Sequence, residues 1–348
     1  MVTSTQEQHL MNLKRKPMDS IFQNVKYWKN FDDKELNKYS EKIFKHYRKN
    51  GFPFVESNSD YRTKEFNTLI KYNTDALIQD RLIKSTMHGL SLAWSYMPHH
   101  WDVECNNMKT PMSVFKDDTL FKKVILKRLK IGTYITDSGI RKIIKTFSGV
   151  QSVSNFRPTA ACAIYNKFLN TEGDVLDLSS GFGGRLLGAI KSNKVKSYTG
   201  IEPSTKTFNG LSKLKNDFGN KDITLHKCGS EDFRYYNKFD LCFTSPPYFN
   251  KEKYSNEDTQ SYVKFPTKEQ WYDGFLKTTI NNCFNSMRDN GVFIFNIKNT
   301  KDLPDFVERT KEYALQSGFT FTDTLWLELA SQTFMKGNNR EEVLIFYK

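Results

Sequence analysis

The sequence predicts an α/β protein, with a mostly parallel sheet covered by helices over residues 151–348 and a mainly helical, basic segment over residues 1–150. Three observations carry this. After residue 150 short apolar strands alternate strictly with helical stretches, which implies parallel strands joined by crossover helices. Before it, apolar residues recur at spacings of three and four, as in "LNKYSEKIFKHYRK", which is the helical period. Charge divides at the same place: residues 1–150 carry 26 basic and 16 acidic residues, a net +10, and the remainder supplies only +3 of the total +13.

From Met18 to Tyr96 helices are expected, interrupted by aromatic breaks such as "NGFPFVES". The segment "SVFKDDTLFKKVILKRLK" (113–130) reads as a basic amphipathic helix, with Lys122, Lys123, Lys127, Arg128 and Lys130 around Val124, Ile125 and Leu129. Such a helix can lie along phosphates, or it can be a core element with a solvated basic face; the sequence leaves both open. A basic half beside a near-neutral half is the footprint of a polyanion-binding module. Solubility and an AT-rich coding bias produce the same excess. "LSLAWSYMPHHW", with His99 and His100, reads as a packed helix end before it reads as a nucleic-acid contact.

The second half runs in order. "GDVLDLSS" is a strand entering a glycine turn, with "RLLGAIKSN" as its helix; "KSYTGIEPS" and "TKTFNGLSKLKNDF" repeat the pattern. "DITLHKCGS" and "FDLCFTSPPY" are further strands, and "KEQWYDGFLKTTINNCFNSMRDNG" is a long helix closed by Gly291. The strand "VFIFNIK", the helix "DFVERTKEYALQSG" and the strands "FTFTDTLWLEL" and "EEVLIFYK" complete the chain. In such sheets the ligand crevice lies beyond the carboxyl ends of the strands. No apolar run reaches the roughly 20 residues of a membrane helix, and the N-terminus lacks the apolar core of a signal peptide, so no membrane and a cytoplasmic location are expected. Five scattered cysteines argue against a disulfide framework and against a zinc site; no metal is expected.

In "VLDLSSGFGGRLLGA" Asp177 stands at a strand end, followed by Gly181, Gly183 and Gly184 before a helix. Glycines there let a ligand approach main-chain N–H groups at a helix N-terminus. Leu186 stands where a dinucleotide fingerprint needs Gly or Ala, which weighs against NAD. Glu202, in "YTGIEPS", ends the next strand, where a carboxylate can accept both hydroxyls of a ribose. "HKCGSEDF" offers Ser230, Glu231 and Asp232 at a third strand end, where one carboxylate can meet an adenine amino group. Three such signals in order point to a nucleoside cofactor.

This order resembles the S-adenosylmethionine-dependent methyltransferases, whose Rossmann-like fold has a seven-stranded sheet. The resemblance implies S-adenosylmethionine as cofactor, with Asp177, Gly181 and Gly183 at its methionine part and Glu202 at its ribose. Ser179, Pro203, Glu231 and Asp232 are expected beside it. "NFRPTAACAIY" (155–165) resembles the segment that packs against the methionine end in the DNA-modifying members, which implicates Phe156, Pro158 and Thr159. Those members carry Asp-Pro-Phe where this chain has Asp177-Leu178-Ser179, so their aromatic contact has no counterpart assigned here.

Ser245-Pro246-Pro247-Tyr248, leaving the fourth strand, resembles the catalytic tetrad of the amino-methyltransferases, which act on N4 of cytosine, N6 of adenine and, in related branches, N2 of guanine. An exocyclic amine is a poor nucleophile because its lone pair is delocalised into the ring. The Ser245 side chain and the Pro246 carbonyl are the natural acceptors for its N–H groups, drawing the nitrogen toward a tetrahedral shape. The prolines fix φ and carry no N–H, which holds the carbonyls rigid. Tyr248 offers a face to a base extruded from the duplex. Cys242 lies inside the strand and reads as core, so no covalent step is expected. The long polar stretch "FNKEKYSNEDTQSYVKFPTKEQW" follows, with Tyr254, Tyr262 and Trp271; it reads as a lid or substrate contact, or as a disordered loop. Asn250, Glu252 and Tyr254 resemble the continuation seen in several Ser-Pro-Pro-Tyr enzymes.

The expected partner is therefore DNA, in a restriction-modification, phage or orphan system of a bacterial or phage-infected cell. Serine at the head of the tetrad leans toward N4 of cytosine over N6 of adenine. The basic residues 1–150 become the candidate reader of sequence, because the cofactor motif and the tetrad are too close to enclose a recognition domain. RNA is the alternative substrate, and a nucleic-acid-binding protein without turnover is a further one. A homodimer is an allowed assembly.

Overall fold

The structure, a computed structural model, describes residues 28–132, 134–329 and 340–348. The chain divides into two compact units, residues 1–59 with 98–153 and residues 60–97 with 154–348.

In the first unit the helix Asp33–Asn50 starts at a capping box between Asp32 and Glu35. With the helices Asp118–Ile131 and Asp137–Lys145 it encloses a core that includes Ile43, Phe44, Tyr47, Phe121, Val124, Ile125, Leu129 and Ile144. The single basic helix expected over 113–130 is two helices. Asp117 ends Pro111–Lys116 and caps the next, its carboxylate accepting from the Leu120 N–H at 2.9 Å. Three of its five cations have partners within the unit: Lys122 pairs with Glu41 at 2.9 Å, Lys130 with Asp33 at 3.1 Å, and Arg128 donates to the Tyr134 carbonyl at 2.9 Å, while Phe121, Val124, Ile125 and Leu129 are buried. This favours the core-helix reading. His100 and Trp101 are buried in the turn Pro98–Asp102, as a packed helix end requires. The part of the expected helical stretch from Met18 to Tyr27 lies outside the described residues.

The second unit is built on a large sheet. Its main strands, labelled in chain order, are β1 (Gly173–Asp177), β2 (Val195–Ile201), β3 (Asp222–His226), β4 (Phe239–Thr244), β5 (Met287–Ile297), β6 (Thr320–Glu328) and β7 (Arg340–Tyr347). They lie in the order β3-β2-β1-β4-β5-β7-β6, parallel from β3 to β5, with β7 antiparallel between β5 and β6. This is the expected Rossmann-like architecture, with two additions. A hairpin, Ile78–Gln79 with Leu82–Ile83, extends the sheet beyond β6 and makes nine strands where seven were expected. Two-residue strands leave no periodicity to detect; their turn rests on Asp80 at φ +52°.

The hairpin belongs to a larger departure from the expected division at residue 150. Residues 60–97 pack on the sheet unit, in part on the helix Thr205–Phe218. Phe66 stacks on Phe218 at 4.3 Å, the Tyr96 hydroxyl donates to Asp217 at 2.5 Å, and a Cβ on Gly210 would meet the Met97 sulfur at 2.5 Å. The basic excess still separates, with a net +9 for residues 1–59 and 98–153 against +4 for the rest. One helix boundary also moves. The helix expected to close at Gly291 ends at Ser286, because Met287 already pairs with Phe239 and Gly291 lies within β5.

Among the described residues no helix is long and apolar enough to cross a membrane.

Candidate active site

The strand order reverses between β1 and β4: the chain builds outward through β2 and β3, then returns to place β4 on the other side of β1. A crevice forms beyond the carboxyl ends at such a point. Val175 and Leu176 pair with Leu241 and Cys242, so the glycine loop and the Ser-Pro-Pro-Tyr segment leave the sheet side by side.

Asp177 ends β1 fully buried, and its oxygens are taken by the protein itself. Arg185 donates to Oδ2 at 2.8 Å, the Tyr198 hydroxyl donates to the same oxygen at 2.7 Å, and the Ser179 N–H donates to Oδ1 at 3.2 Å. Burial works to lower the Arg185 pKa, but the Asp177 charge more than offsets it and holds the guanidinium protonated. Arg185 also donates to the Ser179 carbonyl, so this ion pair sets the path of the loop. Asp177 is thus engaged within the fold of the loop, and its partners Arg185 and Tyr198 carry no signal in the sequence motifs. The one trace is an Arg inside the apolar run "GGRLLGA".

Gly181 and Gly183 adopt φ of +53° and +81°, the left-handed region where Gly carries no steric cost. At Gly184 the need is space, because a Cβ there would collide with the Phe156 carbonyl. Asn155 donates to the Phe182 carbonyl at 3.0 Å, and Phe156 sits edge-on to Phe243 at 5.1 Å. The segment 155–156 therefore lies against the glycine loop. Pro158 and Thr159 do not join it. Thr159 is fully buried with its hydroxyl 3.1 Å from that of Thr86, and Pro158 packs toward Gly89. They dock residues 86–89 onto the helix Pro158–Phe168, so a direct cofactor contact from the Thr159 side chain is not what the geometry offers.

Glu202 ends the β2 side with one carboxylate oxygen accepting from the Gly181 N–H at 3.1 Å and the other from the Ser204 N–H at 2.9 Å. Burial pushes its pKa up to about 7, and the two N–H donors pull against that shift. Pro203 contributes through its carbonyl, which accepts from Thr259 at 3.1 Å. Beyond β3, Asn282 donates to the carbonyls of Ser230 and Glu231 at 3.2 and 3.0 Å, clamping the turn. Glu231 is 3% exposed and Asp232 is exposed, so of the two expected carboxylates Glu231 is the one held inside. Lys264 bridges them, 3.0 Å from Glu231 Oε1 and 2.6 Å from Asp232. Glu231 Oε2 is buried with no partner among the described residues.

At the end of β4, Pro246 is buried and Ser245, Pro247 and Tyr248 are half-buried. The Ser245 side chain makes no hydrogen bond among the described residues. The Tyr248 hydroxyl accepts from the Lys298 N–H at 3.2 Å, at the end of β5, and its ring meets Phe306 edge-on at 5.4 Å. The Lys251 ammonium lies 5.1 Å from the ring centroid. Phe249 takes φ +49°, costly for an aromatic residue, and its buried ring packs against Trp271. Cys242 is fully buried, and burial pushes its thiol pKa well up, which excludes it as a nucleophile.

The long polar stretch folds over the strand ends. Tyr254 meets Phe182 edge-on at 5.8 Å beyond β1. Glu257 accepts from the Thr205 N–H and hydroxyl, at 3.1 and 2.7 Å, at the helix start beyond β2. Lys264 reaches the carboxylates beyond β3. Trp271 donates to Ser261 at 3.1 Å and anchors the stretch in the core.

Neither a scan against protein-family models nor a search of curated proteins found a match. Solved structures resemble part of the chain. A methyltransferase from Pyrococcus furiosus is 14% identical over 60% of this chain and 93% of its own, with a TM-score of 0.38. Magnesium protoporphyrin IX methyltransferase from Synechocystis, with bound SAM, is 13% identical over 55% and 77%, TM-score 0.38. The 1,6-didemethyltoxoflavin-N1-methyltransferase from Burkholderia thailandensis, with bound 1,6-didemethyltoxoflavin and S-adenosylhomocysteine, is 13% identical over 54% and 76%, TM-score 0.36. At these identities and scores the likenesses bear on neither reaction nor substrate.

Proposed function

We propose that this protein transfers a methyl group from S-adenosylmethionine to the exocyclic amine of a nucleobase in DNA, N4 of cytosine ahead of N6 of adenine. The observation that carries the reading is the placement of Ser245-Pro246-Pro247-Tyr248 at the end of β4, paired with the strand that feeds the glycine loop. The residues present suit the cofactor: a buried carboxylate at Glu202, an acceptor at Glu231 without a partner among the described residues, and a side-chain-free backbone at Gly181.

When bound, the cofactor supplies an electrophilic sulfonium methyl. The chain's own work is positioning. Ser245 and the Pro246 carbonyl accept the amine N–H groups, and the two prolines hold those acceptors with little freedom to lose. Tyr248, fastened at its hydroxyl and braced by Phe306, keeps its ring in one orientation, so a base stacks on a fixed face. The net +9 of residues 1–59 and 98–153 supports a polyanionic partner.

The test is incubation with labelled S-adenosylmethionine and mixed duplex DNA or RNA, followed by nucleoside mass spectrometry. N4-methylcytosine or N6-methyladenine in DNA is expected. Product on RNA alone moves the substrate, and labelled product on neither polymer sinks the reading.

A further inference from the structure

The outward face of the helix Asp33–Asn50 is a row of lysines that no acid answers. Lys34, Lys38, Lys42, Lys45 and Lys49 recur at spacings of three and four, which sets them along one face of an α-helix, and all five are exposed. Leu36, Ile43, Phe44 and Tyr47 are buried in the unit's core on the other side. The four acids of residues 32–50 are engaged elsewhere: Asp32 and Glu35 close the capping box, Asp33 takes Lys130 at 3.1 Å, and Glu41 takes Lys122 at 2.9 Å. Arg48, on the same helix, pairs with Asp118 at 2.8 Å. Among the described residues none of the five lysines has an ion-pair partner; Lys42 lies 5.8 Å from the centroid of the Tyr39 ring. Successive members of the row are like-charge neighbours, which destabilise a helix by about as much as opposite charges would stabilise it. The row therefore works against the helix it stands on and in favour of an anionic partner.

We propose that the row formed by Lys34, Lys38, Lys42, Lys45 and Lys49 docks along the phosphate backbone of duplex DNA and holds the chain on the polymer without reading its bases. The proposal rests on the DNA reading of the preceding section and gives that polymer a place on the molecule. At 1.5 Å per residue the row is about 22 Å long. Duplex DNA presents a phosphate charge about every 1.7 Å of its axis, so each lysine meets one within the reach of its side chain. Lysine is a point charge on a flexible stem, suited to phosphate, whereas base edges are read by the bidentate groups of Arg, Asn and Gln. Asn37, beside the row, donates to the Asp33 carbonyl at 2.7 Å and is held to its own helix. An anionic lipid surface fits less well, because a helix lying in a membrane interface inserts its apolar face, and here that face is buried in the core.

The experiment measures binding of the full chain to labelled DNA duplexes of two unrelated sequences by fluorescence anisotropy, from about 50 to about 200 mM salt. Each phosphate contact contributes about 0.9 to the slope of log affinity against log salt. Lys38→Gln and Lys45→Gln are each expected to lower that slope by about 0.9, and the double variant by about 1.8, alike on both sequences. Gln and Lys have similar helix propensities, and thermal unfolding checks that each variant is folded. Lys64→Gln with Lys71→Gln removes the same charge from the exposed side of the helix Ser59–Lys71 and is expected to leave the slope as in the wild type. The proposal is overturned if the wild type binds neither duplex, if the two double variants lower the slope equally, or if the row variants weaken one sequence and not the other. It is also overturned if their effect appears only on an RNA duplex or on phosphatidylserine vesicles. The slope is read without turnover, so the two readings separate. A row-dependent slope with no methyl transfer keeps the docking and removes the reaction, and DNA methylation with an unchanged slope does the reverse.

Discussion

On the β1-to-β3 side of the crevice, charged groups are held in place by other polar groups. Asp177 is taken by Arg185 and Tyr198, Glu202 by two backbone N–H groups, and Glu231 and Asp232 by Lys264. On the β4-to-β5 side the Ser245-Pro246-Pro247-Tyr248 segment itself carries no charged group. Two prolines, a left-handed Phe249 wedged against Trp271 and a Tyr248 ring braced by Phe306 set the geometry, and the Ser245 side chain has no partner among the described residues. The first side is tuned by charge and solvation, the second by stiffness and shape. Substitutions should therefore fail differently on the two sides.

The largest expected effect is on the first side. Arg185→Met leaves the buried Asp177 carboxylate without its counter-charge, and removing one partner of a buried pair costs about 3–5 kcal/mol. Denaturant unfolding should show that loss; a change below about 1 kcal/mol would mean that the Arg185–Asp177 pair does not hold the fold. On the second side Tyr248→Ala should leave S-adenosylhomocysteine affinity within about threefold while turnover falls about a hundredfold or more, as expected when only the reacting amine loses its support. Equal losses in both would erase the distinction between the sides.

The smallest effect is a pH dependence at Glu202. Its pKa in the fold, about 7, stands above the ordinary carboxylate value of 4.5, so the folded chain holds a proton that the unfolded chain has released between those values. Stability from this group is complete below about pH 4.5 and is lost as pH rises toward 7. A ribose donating its hydroxyls favours the ionised form, so cofactor affinity should run the opposite way, rising from pH 5.5 to 7.5 by about tenfold. In Glu202→Gln both trends should disappear.

How much of this was legible depended on range along the chain. The glycine loop, the acids at three strand ends and the tetrad were readable because turns, strand ends and proline geometry are local. The boundary at residue 150 misplaced residues 60–97, which join the sheet unit through contacts such as Tyr96 with Asp217, 121 residues apart. Pro158 and Thr159 were assigned to the cofactor by resemblance, yet Thr159 is engaged by Thr86, which no local pattern announces. Arg185 carries no such signal because it acquires its meaning from Asp177, eight residues away, and from its burial.

The sequence by itself determined the alternation of strands and helices after residue 150, the φ freedom of Gly181 and Gly183, and the rigid exit of the chain through Pro246 and Pro247. Those properties follow from the residue and its immediate neighbours. Only the tertiary structure decided that Asp177 is spent on an internal ion pair, that the helix before β5 stops at Ser286, and that Glu231 is buried with one oxygen unpartnered among the described residues. Desolvation and strand pairing depend on what the fold brings near from far along the chain, and a carboxylate's role is set by how many of its lone pairs that environment leaves open.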